Sequence, residues 1–205
     1  MSEKNYEIKV IKIGFLGDSG AGKTDIIKSF LNIDDVSNSS NERYETKYVL
    51  KNGKEIKLIL WDTAGHERFR SIALKTLRFI QGVILVYDIT TKESFQHISY
   101  WLDEIKENPE KPFIVLFGNK IDSEKEKWKV STEEAKDYAE SKNLPYFEVS
   151  AKTKQGLNEG FSYIINEIYE KLYSKSKNIN LEKNVDDKKG CVGNKNVNKK
   201  ENVKK

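Results

Sequence analysis

Eight residues near the amino terminus, GDSGAGKT at 17–24, match the pattern G-x-x-x-x-G-K-[ST]. The glycines of that pattern let the backbone curl, so that successive N–H groups point at phosphate oxygens beside a helix N-terminus. We therefore expect Lys23 to reach the β- and γ-phosphates of a nucleotide and the Thr24 hydroxyl to bind Mg²⁺. The loop residues predicted to contact the phosphates are Asp18, Ser19, Gly20, Ala21 and Gly22.

A second motif, WDTAG at 61–65, follows an apolar segment. An aspartate at the end of a buried strand can hold Mg²⁺, directly or through water, as phosphate-loop proteins require. We predict that role for Asp62, and we predict that the Gly65 N–H meets the γ-phosphate. A D-x-x-G sequence alone is a common turn, but its position after an apolar strand favours the metal site.

Two further motifs could read a base. Asn119-Lys120-Ile121-Asp122 follows the apolar run FIVLF, and Ser150-Ala151-Lys152 follows the strand at 146–149. A carboxylate at Asp122 can accept hydrogen bonds from both N1–H and the 2-amino group of guanine, a donor pair that adenine lacks. We expect Asn119 to tie neighbouring loops, Lys120 to cover one face of the base, and an amide of 150–152 to donate to guanine O6.

The elements that position these motifs alternate between strand and helix. Asn52-Gly53 marks a hairpin, because both residues tolerate positive φ, and Ser131 with Glu134 forms a capping box. The pattern predicts an α/β fold of the P-loop NTPase type: a doubly wound, mostly parallel six-stranded sheet with one antiparallel strand and helices on both faces. Strands are predicted at 8–16, 44–50, 55–61, 83–87, 113–117 and 146–149, and helices at 23–31, 71–80, 92–107, from Ser131, and at 156–173.

Charge separates the chain into two parts. Residues 174–205 hold ten lysines and four acidic residues, whereas the other residues hold 26 basic and 28 acidic side chains. We predict one domain over 1–173 and a disordered Lys/Asn-rich tail over 174–205. The nearly neutral body does not suggest nucleic-acid binding. We expect no membrane span, secretory signal or N-myristoylation, and the lone Cys191 permits no intrachain disulfide.

Taken together, the motifs resemble those of the Ras-like small GTPases, most closely the Rab family. The matching segments are GDSGAGKT (17–24), KLILWDTAGHERFRSI (57–72), LVYDIT (85–90), GNKID (118–122) and EVSAK (148–152). The resemblance implies a monomeric switch in vesicle traffic that binds GTP, GDP and Mg²⁺. It also implies effectors, an exchange factor and a GTPase-activating protein as partners.

One departure from the family bears on catalysis. The family places Gln after D-T-A-G to orient the attacking water, and this chain has His66. Phosphoryl transfer depends on positioning and electrostatics, so we predict slow intrinsic GTP hydrolysis with His66, Gly65 and Lys23 as the catalytic residues. The alternatives are a non-hydrolysing guanine-nucleotide-binding interaction module and an ATP-using P-loop enzyme. The base motif disfavours the ATP-using enzyme.

Other departures concern metal binding and partners. Counting back from Asp62 places Ser39 where the family has a Mg²⁺-binding Thr, with Ser40 and Thr46 as alternatives. No aromatic residue occurs at 32–42, so we expect fast nucleotide exchange. Tyr44 and Trp61 match the aromatic triad with which Rabs bind effectors, but Thr76 stands in its third place.

The carboxyl terminus also departs from the family. It lacks prenylation cysteines, and lipidation of Cys191 stays open. We therefore expect a cytoplasmic protein with at most weak peripheral contact with endomembranes through its basic tail.

Overall fold

A computed structural model describes residues 8–33, 43–63 and 79–174 of the 205-residue chain. Within them, six strands form one sheet in the spatial order β2-β3-β1-β4-β5-β6. β2 pairs antiparallel with β3, and every other pairing is parallel. This confirms the predicted α/β class and mixed six-stranded sheet. The strands are β1 Val10–Leu16, β2 Arg43–Val49, β3 Glu55–Trp61, β4 Gly82–Asp88, β5 Phe113–Asn119 and β6 Tyr146–Val149.

Five α-helices, numbered over the described residues, connect these strands. None of them is both long enough and apolar enough to cross a membrane. They are α1 Lys23–Leu31, α2 Lys92–Gln96, α3 Ile98–Lys106, α4 Thr132–Ser141 and α5 Leu157–Tyr169, with a 3₁₀ turn at Lys125–Lys127.

The helix predicted at 92–107 is divided at His97, where ψ is −9°. The helical hydrogen bonds continue through this point, because His97 N–H donates to the Glu93 carbonyl at 3.0 Å and Trp101 N–H donates to the His97 carbonyl at 3.1 Å. The break is therefore a local change of backbone geometry at His97, across which helical hydrogen bonds are kept. The helix predicted at 71–80 lies outside the described residues except for Phe79 and Ile80, neither of which is α-helical.

The chain divides into two units, Met1–Tyr169 and Glu170–Lys205. The sheet and the five α-helices belong to the first unit. In the second, the structure describes only a π-helical turn at Glu170–Ser174, so the last predicted helix ends at Tyr169 as an α-helix rather than at residue 173. The tail predicted for 174–205 lies outside the described residues from 175 onward and stays a prediction.

The β2–β3 hairpin forms where Asn52-Gly53 predicted it, but by a different turn. Gly53 has a φ of 77°, whereas Asn52 is not among the positive-φ residues. Gly53 N–H donates to the Leu50 carbonyl, and Leu50 N–H donates to the Lys54 carbonyl, both at 2.9 Å. The loop thus has three residues and needs only one left-handed residue, which is a common hairpin solution. The hairpin is confirmed, and of the two residues that tolerate a positive φ it is Gly53 that adopts one.

The core between the sheet and helices α1 and α5 is rich in phenylalanine. Phe15, Phe117 and Phe161 are fully buried. The Phe161 ring stacks on Phe30 of α1 at a centroid distance of 3.7 Å and also contacts Phe15 and Phe117. All seven residues of β4 are buried, as expected of a central parallel strand covered on both faces. This packing holds α1, and with it the loop that precedes α1, against β1.

Phe161→Ala is expected to lower the free energy of unfolding by about 3–5 kcal/mol, because it removes a buried aromatic ring from the centre of this cluster. Urea denaturation measures the change. Phe79→Ala is the matched control, since Phe79 is 72% exposed and its truncation should change stability by less than about 0.5 kcal/mol. Equal losses in the two variants would contradict the packing argument.

Candidate functional site

The four predicted motifs all begin where strands of the sheet end, at their carboxyl ends. In the parallel register Asp88 lies beside Asn119, and Asn119 lies beside Val149. The same register places Gly14 beside Trp61. The carboxyl ends of β1, β3, β4, β5 and β6 therefore meet at this edge, where open α/β sheets bind ligands.

The loop at 17–24 is tightly enclosed and needs its glycines. Gly17 has a φ of 139°, and a Cβ there would lie 2.0 Å from the Val86 carbonyl oxygen. Gly22 has a φ of 91°, and a Cβ there would lie 2.3 Å from Asn119 Nδ2. Gly22 is also the N-cap of α1 and makes no side-chain cap, so the first N–H groups of the helix face the loop. This cradle suits an anion such as a phosphate.

Lys23 is 3% exposed and folds back over the loop. Its Nζ donates to the Gly17 carbonyl at 2.8 Å and to the Asp18 carbonyl at 2.9 Å. Because a buried ammonium must be paired, these carbonyls fix its charge at the mouth of the cradle. A polyphosphate bound in the loop would meet that charge.

Thr24 and Asp62, two predicted metal ligands that the structure describes, are in contact. The Thr24 hydroxyl donates to Asp62 Oδ2 at 2.5 Å, and Asp62 is buried. The Thr63 hydroxyl donates to the Phe15 carbonyl at 2.6 Å, which fixes the chain directly after Asp62. Mg²⁺ is commonly held by one or two carboxylates together with substrate phosphates and water. The hydroxyl and carboxylate present here fit that donor set.

No cluster of three His, Cys, Asp or Glu side chains that could hold a metal occurs in the described part of the chain. A Mg²⁺ ion at Thr24 and Asp62 would therefore need oxygen ligands from a bound phosphate and from water. The structure does not bring the alternative ligand Thr46 to this pair. Thr46 faces Leu58 in the middle of β2, about 10 Å along the strand from Arg43 at a rise of about 3.4 Å per residue.

Asn119 links the phosphate loop to the base motifs. It is 1% exposed, its Nδ2 donates to the Ala21 carbonyl at 2.9 Å, and its Oδ1 accepts from Ala151 N–H at 3.1 Å. The predicted tie between neighbouring loops is thus present as two hydrogen bonds. The Ala151 N–H, one of the amides considered for guanine O6, has Asn119 as its partner within the protein.

Lys120 is held at both ends of its side chain. Its backbone has a φ of 73°, and its Nζ donates to the Gly20 carbonyl at 2.8 Å and pairs with Asp88 Oδ2 at 2.6 Å. Asp88 is buried at the end of β4, and its Oδ1 accepts from Thr90 N–H at 2.8 Å. The stem of Lys120 is therefore fixed between the loop and β4.

Asp122 is oriented by the third motif. Ser150 Oγ donates to Asp122 Oδ1 at 2.6 Å and accepts from Thr153 N–H at 3.0 Å. Lys152 Nζ lies 4.0 Å from Asp122 Oδ2, on a side chain that is 83% exposed. An ionised carboxylate offers about four acceptor positions, and Ser150 uses one of them. The structure thus brings Asp122 and the segment 150–152 together.

Burial raises the pKa of the Tyr44 hydroxyl, and the negative charge of Asp62 raises it further. The Tyr44 hydroxyl therefore lies near enough to Asp62 to be affected by its charge, and it stays protonated at neutral pH. The predicted residues Ala64, Gly65, His66, Ser39, Ser40, Thr76 and Cys191 lie outside the described residues.

Sequence reasoning missed three residues that support this site. Asp88 pairs with Lys120, as described above. His97 and Trp101 both contact the carboxylate of Asp18, at 2.5 Å and 3.1 Å. The position of Asp88 at the end of an apolar run was a usable signal. His97 and Trp101 are about 80 residues from Asp18 in the chain, and no local pattern marks them.

Comparison with known proteins gives a consistent result. Residues 12–170 match the model of the Ras family. Ras-related protein RABA4b of Arabidopsis thaliana is 35% identical over 172 residues, which cover 82% of this chain and 76% of that protein. Ras-related protein Rab11A of Lotus japonicus is 34% identical over 171 residues, covering 82% and 75%. Ras-related protein RABA5c of Arabidopsis thaliana is 34% identical over 180 residues, covering 86% and 84%.

Asn119→Ala is expected to lower the free energy of unfolding by about 2–3 kcal/mol, because two buried hydrogen bonds are lost and their partner groups stay unsatisfied. Urea denaturation of nucleotide-free protein measures this. Asn166→Ala is the control, because Asn166 bonds only locally, to the Ser162 carbonyl and hydroxyl. A loss at Asn119 no larger than that at Asn166 would rule out a linking role.

Proposed function

Because this chain belongs to the Ras family of small GTPases and is related to the Rab proteins, we propose that it binds GTP and GDP and hydrolyses GTP slowly. In this proposal it cycles between the two states as a Rab-like regulator of vesicle traffic. One observation carries the proposal most directly. Asn119 hydrogen-bonds both to the phosphate loop and to the segment beside Asp122, so that one ligand can span both.

The phosphate end of the nucleotide would be held by the loop amides of 18–24 and by Lys23. Thr24 and Asp62 would hold Mg²⁺, and Ser39, from the segment before β2, is proposed as a further ligand. When bound, Mg²⁺ neutralises charge on the phosphate oxygens. Lys23 would add a second positive charge, which its two carbonyl contacts hold in place.

The base would be selected by hydrogen bonds. Asp122, oriented by Ser150, would accept from N1–H and the 2-amino group of guanine, and adenine would leave this acceptor unpaired. Lys120 would cover a face of the base with its stem. An amide of the segment 150–152 would donate to O6.

Hydrolysis would depend on Gly65, His66 and Lys23. A neutral imidazole can both donate and accept hydrogen bonds, so His66 could position water, although less well than the Gln of the family. The second candidate function is a guanine-nucleotide-binding interaction module without hydrolysis. This second function is supported by His66, which stands where the family has the Gln that positions water.

Partners would include effectors, an exchange factor and a GTPase-activating protein, and the protein would act as a monomer. Trp61 ends β3, where the Arg43 guanidinium lies 5.4 Å from the Trp61 ring centre, and this aromatic and basic pair would contribute to effector binding. Tyr44, the other residue matched to the aromatic triad, is buried and lies on the opposite face of the hairpin, opposite Leu60. The protein would be cytoplasmic, with at most weak peripheral binding to endomembranes through its lysine-rich tail.

Guanine selectivity can be tested by competition against labelled GDP. GTP and GDP are expected to displace the label, and ATP is not. Asp122→Asn is expected to weaken GDP binding by at least about 100-fold and to improve binding of xanthosine diphosphate, because its NH₂ group can donate to the 2-oxo group of xanthine. The exposed variant Lys152→Ala is the comparison, with a change of less than about tenfold. Equal uptake of adenine nucleotides by the native protein would contradict the proposal.

The slow rate can be tested by single-turnover phosphate release from protein loaded with GTP. His66→Gln is expected to accelerate release by about tenfold or more, since the amide positions water better and each 1.4 kcal/mol of barrier is a factor of ten. Absence of acceleration would count against the assigned role of His66. Absence of release from both proteins, with and without cell extract, would favour the interaction module.

A further inference from the structure

The side chain of Asp18, the second residue of the phosphate loop, is bound by two residues of another segment. Its Oδ2 lies 2.5 Å from His97 Nδ1, and its Oδ1 accepts from Trp101 Nε1 at 3.1 Å. Because an ionised carboxylate can only accept, the His97 nitrogen is the donor. Both oxygens of Asp18 are thus engaged by the end of α2 and the first turn of α3.

The main chain of Asp18 is fixed as well. Its carbonyl accepts a hydrogen bond from Lys23 Nζ at 2.9 Å, and the neighbouring Gly17 carbonyl accepts one from the same atom. Asp18 therefore contacts the α2–α3 junction through its side chain and Lys23 through its carbonyl. A shift of Asp18 would move both the loop backbone and the Lys23 ammonium.

The charge of Asp18 explains why the two donors matter. A carboxylate beside a site for a polyanion repels it, and the repulsion grows as water is excluded. The indole and imidazole donors hold this carboxylate toward α3 and partly offset its charge. Without them, the carboxylate could turn toward the phosphates and the loop would lose its outer anchor.

We propose that His97 and Trp101 are positioning residues of the phosphate loop, which hold Asp18 and thereby slow the release of bound nucleotide relative to a loop without these contacts. This inference rests on the proposed guanine-nucleotide function. The His97 side chain is 57% exposed whereas Trp101 is buried, so the two contacts with Asp18 reach from the core to the surface. In this proposal, the junction of α2 and α3 contributes to the lifetime of the bound state.

The test measures release of a fluorescent GDP analogue after addition of excess GDP. His97→Phe keeps a ring but removes the donor, and Trp101→Phe removes the indole N–H. Each is expected to accelerate release by about tenfold, since a hydrogen bond to a charged group is lost. His97→Gln, which retains a side-chain donor, should release within about twofold of the native rate. Lys106→Ala is the control on α3, because Lys106 pairs with the exposed Asp103.

Epistasis separates positioning from a general effect on the fold. In an Asp18→Ala background, His97→Phe and Trp101→Phe should each change the release rate by less than about twofold, because their acceptor is absent. Acceleration that persists in that background would overturn the proposal, as would native release rates in both single variants. The exposed His97 provides a test even if Trp101→Phe fails to fold.

The two proposals fail in different ways. If the native protein takes up no guanine nucleotide, the proposed function fails before any variant is compared. If the native protein binds GDP and the variants release it at the native rate, only the positioning role of His97 and Trp101 is wrong. The melting temperature of His97→Phe should fall by no more than that of Asp18→Ala, because Asp18→Ala loses the same hydrogen bond and the one from Trp101 as well.

Discussion

The buried amide of Asn119 is the interaction on which the candidate site depends. Three loops that follow β1, β5 and β6 are distant in sequence, and each is too polar to hold its shape through apolar packing. Asn119 is nearly inaccessible to solvent, and it hydrogen-bonds to one loop through Nδ2 and to another through Oδ1. Since a buried polar group is costly unless its partners are present, the loops adopt one arrangement together. The missing side chain of Gly22 lets the amide approach.

The charged residues around this amide are all held by specific partners before any ligand is considered. Backbone carbonyls hold Lys23, Thr24 holds Asp62, Lys120 holds Asp88, and His97 with Trp101 holds Asp18. Such an arrangement reduces the reorganisation that binding would require, which is how preorganised sites gain affinity. The carboxylates of Asp18, Asp62, Asp88 and Asp122 each have a hydrogen-bond donor or a cation beside them. A polyanion would therefore meet an oriented field rather than an unpaired cluster.

Local sequence patterns predicted the parts of this structure that short-range physics determines. Apolar runs such as VILVY marked strands buried on both faces, and Ser131 caps α4 by accepting from Glu134 N–H, which is one half of the predicted capping box, whereas the Glu134 carboxylate pairs with Lys92. The glycine-rich loop lies between β1 and α1 as predicted, because its position follows from the apolar strand before it and the helical pattern after it. The turn at Asn52 and the division at His97 were not predicted, because several backbone geometries satisfy the same pattern. The contacts of His97 and Trp101 with Asp18 depend on how α2 and α3 cross the sheet edge, which no window of sequence contains.

A partly buried chain of hydroxyl groups lies beside Gly118, the residue directly before Asn119. Tyr87 OH lies 3.0 Å from Tyr146 OH, and Tyr146 donates to Glu148, which also accepts from Thr132. Burial raises the pKa of both tyrosines, so they stay protonated and the chain of donors is maintained. A Cβ at Gly118 would meet both hydroxyls, which explains a glycine directly before the linking amide.

The residues proposed to read guanine are Asn119, Lys120, Asp122 and the segment 150–152, whereas His66 and Ser39 are proposed for water positioning and metal binding. In this proposal, base recognition and hydrolysis rest on separate groups of residues. Membership of the family consequently supports the identity of the nucleotide more strongly than it supports the rate of its hydrolysis.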